Sequence, residues 1–194
     1  MTSQTPTLTD VLTFWFEDAG PAKWYAVSEA FDDLLRQRFA GFVESEAARL
    51  KAGDEKGLDN PQDALALIIL LDQFPRNIWR GTAKAFDFDH QSRVIAKIMV
   101  DRGLDMKIAE QHRAFVYMPF MHSEDIKDQD LCVLYAKERL EGDGTHTHAI
   151  KHREVIERFG RFPYRNEALG RTTTPDEAEY LASGGYAPGS KQKA

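Results

Sequence analysis

The sequence predicts an all-α protein, and three observations carry that expectation. Apolar residues recur at spacings of three and four almost throughout, and no run alternates at period two for long enough to make a sheet. Glycines, prolines and polar N-cap residues punctuate the periodic stretches where helices would start and stop. At 194 residues, with 42% hydrophobic and 29% charged residues, the chain has the size and composition of one ordinary globular domain. About seven to eight helices are expected, packed as antiparallel pairs within residues 7–183. Residues 1–6 and the Gly-, Pro-, Ser- and Lys-rich residues 184–194 are expected to be disordered ends.

Each helix has a local reason. Thr9 and Asp10 precede Val11, Leu12, Trp15 and Phe16, a short amphipathic helix with a polar cap. Ser28 opens a long second helix carrying Phe31, Leu34, Leu35, Phe39, Phe42 and Val43, which runs out at Gly53. Asn60-Pro61 is an N-cap and first-turn pair. The third helix it opens is apolar nearly all round from Ala64 to Leu71, which marks it as the central one, and Pro75 is expected to stop it. Asp89 is placed as the cap of a fourth helix bearing Val94, Ile95, Ile98 and Met99, with Gly103 as its stop. A fifth spans about Met106 to Met118, where Pro119 is expected to break it. A sixth follows Ser123 to Asp125 and carries Ile126, Leu131, Leu134 and Tyr135. A seventh covers about Thr147 to Phe159, and Thr174-Pro175 opens a last short one to about Leu181.

Charge and cysteine usage exclude several function classes. A net charge of −6 argues against sequence-blind binding to nucleic acid or to acidic membranes. The single cysteine, Cys132, rules out a disulfide framework, and its setting in Leu131-Cys132-Val133-Leu134 reads as core. Met1 to Asp10 carries neither a basic nor an apolar signal region, and the longest apolar run is too short to span a bilayer, so a cytoplasmic protein with no membrane partner is expected. There is no Gly-x-Gly-x-x-Gly, Walker A or Gly-x-Ser-x-Gly pattern, and no cofactor is expected. His148 and His152 share a helix face, but the glutamate of a His-Glu-x-x-His zinc motif is missing, and no metal site is assigned.

One internal echo carries more information. Phe74-Pro75-Arg76-Asn77 and Phe162-Pro163-Tyr164-Arg165-Asn166 resemble each other, each with a glycine four residues after the asparagine, Gly81 and Gly170. A third proline break is Met118-Pro119-Phe120-Met121-His122-Ser123-Glu124. These breaks end the third, fifth and seventh helices. If consecutive helices pack antiparallel, odd-numbered helices end at the same end of the bundle. Arg76, Asn77, His122, Glu124, Arg161, Arg165, Asn166 and Arg171 should then gather there, joined from the first helix by Asp18, Lys23, Trp24 and Tyr25.

Guanidinium groups on an otherwise acidic protein make a local site for carboxylate or phosphate. His122 and Glu124 are the acid–base candidates beside it, and Trp24 is a candidate for its apolar wall. The competing reading is structural: arginine, asparagine and histidine cap helix C-termini, Arg76 and Arg165 tie loops to Asp72, Asp87 or Asp89, and Ser123 caps the sixth helix. Asp72-Gln73 ends an apolar helix and needs a partner, for which Arg76 stands one turn on.

Together, Leu71 to Asn77, Met118 to Glu124, Phe159 to Asn166 and Leu169 to Pro175 resemble the bacterial family known as domain of unknown function 924. The resemblance runs from the first helix to about Leu181 and implies a TPR-like, right-handed all-helical array; it implies no activity. Where relatives typically carry a histidine between the proline and arginine of the last motif, this chain has Tyr164. Two function classes follow. One is a pocket for a small anionic ligand, held by Arg76, Asn77, Arg161, Arg165, Asn166, Arg171 and Trp24, with or without catalysis. The other is a TPR-like module for a protein or peptide partner, which would show exposed apolar residues along a groove instead of buried polar residues at helix ends.

Overall fold

The computed structural model describes residues 5–188, and the residues it describes are all-helical, without a strand. Helix α1, Leu8–Thr13, starts at Thr7, whose hydroxyl accepts from the Asp10 backbone while the Asp10 carboxylate reaches back to the Thr7 N–H. It runs straight into a π-helical segment, Phe14–Ala19, that turns Phe14 and Trp15 into the core. Gly20, at φ 66°, lets the chain turn into the short α2, Pro21–Trp24. Helix α3, Glu29–Lys51, is capped by Ser28 and buries Phe31, Leu35, Phe39, Val43 and Ala47, one per turn on one face.

The central helix is α4, Pro61–Ile68, capped by Asn60. Pro75 does not stop it. The chain passes through a π-helical segment, Ile69–Gln73, into α5, Phe74–Ile78, which has Pro75 in its first turn. A proline has no N–H to place, and the change of hydrogen-bond register in the π segment accommodates it without ending the rod. Every residue from Ala64 to Pro75 is buried. Helix α4 packs on α1, α6 and α7, and α5 on α3.

The second half is α6, Asp89–Asp101; α7, Glu110–Met121; α8, Ile126–Arg139; α9, Gly144–Phe159; and α10, Pro175–Ala182. From α6 to α9 each helix packs on the next. Pro119 sits inside α7 instead of breaking it, and the helix starts at Glu110, not near Met106. The Gln129 side chain donates to the carbonyls of Phe120, Met121 and Ser123 and so closes the C-terminus of α7. Asp89 does not cap α6 but is its first residue, leaving its carboxylate free for another role. Asp125 caps α8. Ser123, which the sequence offers as that cap, accepts from the Asp125 N–H and donates to Asp128.

The end expected to be disordered from residue 184 is described as far as residue 188, and the rest lies outside the described residues, as do residues 1–4. Tyr186 lies back on α9, its hydroxyl 2.7 Å from His148 Nδ1 and its ring 5.0 Å from that of His152.

Candidate functional site

The two halves of the internal echo meet across the fold. Arg76 forms a bidentate pair with Asp89, at 2.8 and 2.9 Å, and lies 3.3 Å from the Asp72 carboxylate. Arg165 reaches the same Asp89 from the other side, at 3.5 Å. Both guanidiniums lie over the Phe86 ring, at 5.7 Å for Arg76 and 4.7 Å for Arg165, and Arg165 also covers Phe162 at 4.5 Å. The glycines that end both motifs, Gly81 and Gly170, take positive φ values of 79° and 62°, so the echo is one of backbone as well as sequence.

His122, the C-cap of α7, completes this centre. Its Nδ1 lies 2.8 and 2.9 Å from the two oxygens of Asp72, a residue with no exposed surface. Burial alone would raise the Asp72 pKa, but Arg76 and His122 outweigh it and hold the carboxyl well below the usual range. Asp72 is therefore an acceptor, and Nδ1 of His122 carries the hydrogen that it receives. Burial and the nearby Arg76 lower the His122 pKa, leaving a neutral ring whose Nε2 is the lone-pair nitrogen. Gln73 donates to Oδ2 of the Asp72 carboxylate.

His152, on α9, stands 6.2 Å from His122, ring to ring, and meets Phe162 in a T-shaped contact at 5.6 Å. Its Nδ1 donates to the His148 carbonyl at 2.8 Å, fixing the same tautomer. Burial, with the charges around it, lowers its pKa to about 3.

The other residues that the sequence singles out meet protein partners. Glu124 does not engage His122: both its oxygens bind Arg171, at 2.7 and 3.0 Å, and one accepts from the Phe162 N–H. Arg161 forms a bidentate pair with Glu177 and bonds the Thr172 carbonyl, and Asn166 donates to Glu177 as well. These contacts fasten α10 to the loop after α9. Asn77 links the Gln73 carbonyl to Arg80, which is itself paired with Asp32. Trp24 donates to the Trp15 carbonyl and stacks on Trp15 within the aromatic core. Cys132 is buried, its thiol pushed up to about 12 by that burial.

The Arg161–Glu177 pair has a measurable consequence. The hydrogen bond from Arg161 holds Glu177 down at about 2, from an ordinary value of 4.5. A depressed carboxylate contributes stability that is present above about pH 4.5 and is lost as the pH falls towards 2. Arg161→Ala should flatten stability across that window, as read by chemical unfolding on either side of it.

Buried polar atoms without a protein partner concentrate at the third motif. Among the described residues they comprise Nε and Nη2 of Arg165, Nε2 of His152, Oδ1 of Asn166 and Nε of Arg171, against single atoms of Trp15, Asp105 and Gln129 elsewhere. His152 is the member of this centre whose part sequence reasoning missed, while Asp89, one of three carboxylates the sequence offered to Arg76 and Arg165, is the one they share. The only local signal for His152 was its position about two turns before Arg161. A surface depression of about 530 Å³ beside Glu124 is lined by Asp125, Ile126, Ile156, Glu157 and Gly160, a rim too acidic for an anion. Among the described residues, no group of three or more His, Cys, Asp or Glu side chains is placed to hold a metal ion, and no helix is long and apolar enough to cross a membrane.

A family model described as "Bacterial protein of unknown function (DUF924)" matches residues 11–185. The chain is also similar to a solved protein of unknown function, ATU0120, from Agrobacterium tumefaciens. The two are 40% identical with a TM-score of 0.83, over 91% of this chain and 97% of that one. Among curated proteins no match was found.

Proposed function

The chain belongs to the bacterial DUF924 family of unknown function, and since that membership assigns no activity, we propose from the site alone that the protein binds a small oxyanion, a phosphate or a carboxylate, at Arg165. One observation carries the reading. Arg165 is only 4% exposed, yet two of its three guanidinium nitrogens meet no protein acceptor among the described residues. A buried guanidinium edge left unpaired is costly in a purely structural arginine and useful in one that receives a carboxylate or phosphate. Its one carboxylate neighbour, Asp89, already has a bidentate partner in Arg76. His122, oriented by Asp72 in place of Glu124, is the acid–base group beside the anion. Glu124, Arg161 and Arg171 hold the loop that carries Arg165 in place.

The test is a thermal-shift and calorimetric titration with inorganic phosphate and small carboxylates. A ligand at a hundred times its dissociation constant stabilises by about 2.7 kcal/mol. For a domain this size that raises the melting temperature by roughly 5–10 °C. Arg165→Ala should abolish the shift while costing only about 1–2 kcal/mol of stability, because Asp89 keeps Arg76. A loss of about 3–5 kcal/mol would make Arg165 a structural tie instead. No shift with any anion would favour the reading as a peptide-binding module.

A further inference from the structure

We infer that the anion this site takes carries its own O–H: hydrogen phosphate or a hydroxycarboxylate, and not a fully deprotonated oxyanion such as sulfate. The inference rests on the anion site at Arg165 and adds a second contact to it, at His152. The two side chains abut the same ring. The Arg165 guanidinium lies 4.5 Å above Phe162, and the His152 imidazole meets the same ring in a T-shaped contact, centroids 5.6 Å apart. Their free atoms are of opposite kind. Arg165 offers Nε and Nη2, which can only donate. His152 offers Nε2, and because Nδ1 donates to the His148 carbonyl, Nε2 is a lone pair that can only accept.

A molecule touching both must accept from the arginine and donate to the histidine. Sulfate, with acceptor oxygens alone, satisfies Arg165 and leaves His152 Nε2 facing another lone pair. Hydrogen phosphate has the same shape and presents both. Protonation of His152 does not remove this demand near neutral pH, since burial first, and then the neighbouring His122 and the Arg165 charge, keep the ring neutral down to about 3.

Charge narrows the class further. Arg76 and Arg165 are already faced by Asp72 and Asp89, so the centre carries no net excess of positive charge for an anion to neutralise. Discrimination then rests on matched hydrogen bonds, and a site built to bond a hydroxyl rejects the analogue lacking it because its own buried group is left unpaired. Tyr186 packs over His152 and Tyr164 lies 5.6 Å from the Arg165 guanidinium, so these two rings are what an entering ligand must displace.

The experiment is calorimetric titration of the full chain at about pH 8 with two matched pairs, each differing in one O–H. Hydrogen phosphate and sulfate are then both chiefly dianions, and glycolate and propionate are isosteric monoanions. In the wild type, the O–H member of the pair that binds should be preferred by about tenfold or more. The pair that shows the preference distinguishes a phosphoryl from a carboxyl ligand. In His152→Phe, which keeps the ring volume against Phe162 and removes the acceptor, the preference should shrink to within about twofold while Arg165-dependent binding persists. Equal affinity within both pairs, or a preference unchanged in His152→Phe, overturns the assignment and leaves the anion site standing. Failure of all four probes overturns both. If His152→Phe does not fold, the wild-type comparison decides alone.

Discussion

Replacing Arg76 with methionine should lower the free energy of unfolding by about 3–5 kcal/mol, the largest loss expected from a single surface-reaching side chain in this protein. Arg76 is the cation between Asp72, which has no exposed surface, and Asp89, and it also bonds the Asp72 backbone carbonyl. Methionine fills much of the same volume, so the loss reports charge and not a cavity. Without the guanidinium two carboxylates share one low-dielectric site, with the single 3.5 Å contact from Arg165 to balance them. Removing one of those carboxylates should undo part of the damage, so Arg76→Met combined with Asp72→Asn should cost less than the sum of the two changes. The exposed Arg153–Asp130 pair is the control, and its loss should cost under about 1 kcal/mol. Urea unfolding of the single and double variants at neutral pH measures all of these. An Arg76→Met loss no larger than the control would mean that the pair is solvated in solution.

Stability should also fall steeply on mild acidification, with His152 as the principal cause. Its pKa is depressed from 6.5 to about 3, first by burial and then by the neighbouring His122 and the Arg165 charge, while the bond to the His148 carbonyl works in the opposite direction. Below pH 6.5 the unfolded chain takes up a proton there and the folded protein does not. Stability then drops as the pH falls, by up to about 1.4 kcal/mol per unit. Between pH 7 and 5, above the range in which most carboxylates titrate, the loss should come to about 2 kcal/mol. His152→Phe should remove most of that slope. The remainder belongs to His122 and His112, whose pKa values burial also lowers. Unfolding curves at a series of pH values for the two proteins give the comparison, and parallel slopes would show that His152 is not held neutral.

The helical class and most helix starts were legible because they are local. Ser28, Asn60 and Thr174 each cap the helix they precede, and the all-round apolar stretch after Asn60 is the central helix. Arg76, His122 and Arg165 were expected together because their proline motifs were placed at one end of the bundle, and they do meet around Asp72 and Asp89 although Pro75 and Pro119 do not break their helices. What the sequence misassigned were the prolines: Pro75 and Pro119 lie within continuing helical rods, Pro75 because a register change accommodates it and Pro119 because it falls in the last turn of α7, whose end Gln129 then closes. The partners were harder still. His122 sits next but one to Glu124, yet its carboxylate is Asp72, fifty residues away, and Glu124 goes to Arg171, forty-seven residues on. Pairings at that range are decided by which helix packs on which, and no local pattern encodes them. Asp89 was read both as a cap and as one of three carboxylates open to Arg76 and Arg165, and only the packing of α6 against them selects it over Asp87.

The π segment at Ile69–Gln73 sets a rule for anyone redesigning this chain. Side chains advance about 100° per residue along an α-helix, and a π turn holds one residue more than an α turn, so it shifts the phase of everything after it. Asp72 lies inside that turn and Arg76 just beyond it. A template that draws residues 61–78 as one uniform α-helix would point both about one residue's rotation away from His122 and Asp89. Deleting a single residue between Ile69 and Leu71 would make the segment a more regular helix and would take the centre apart.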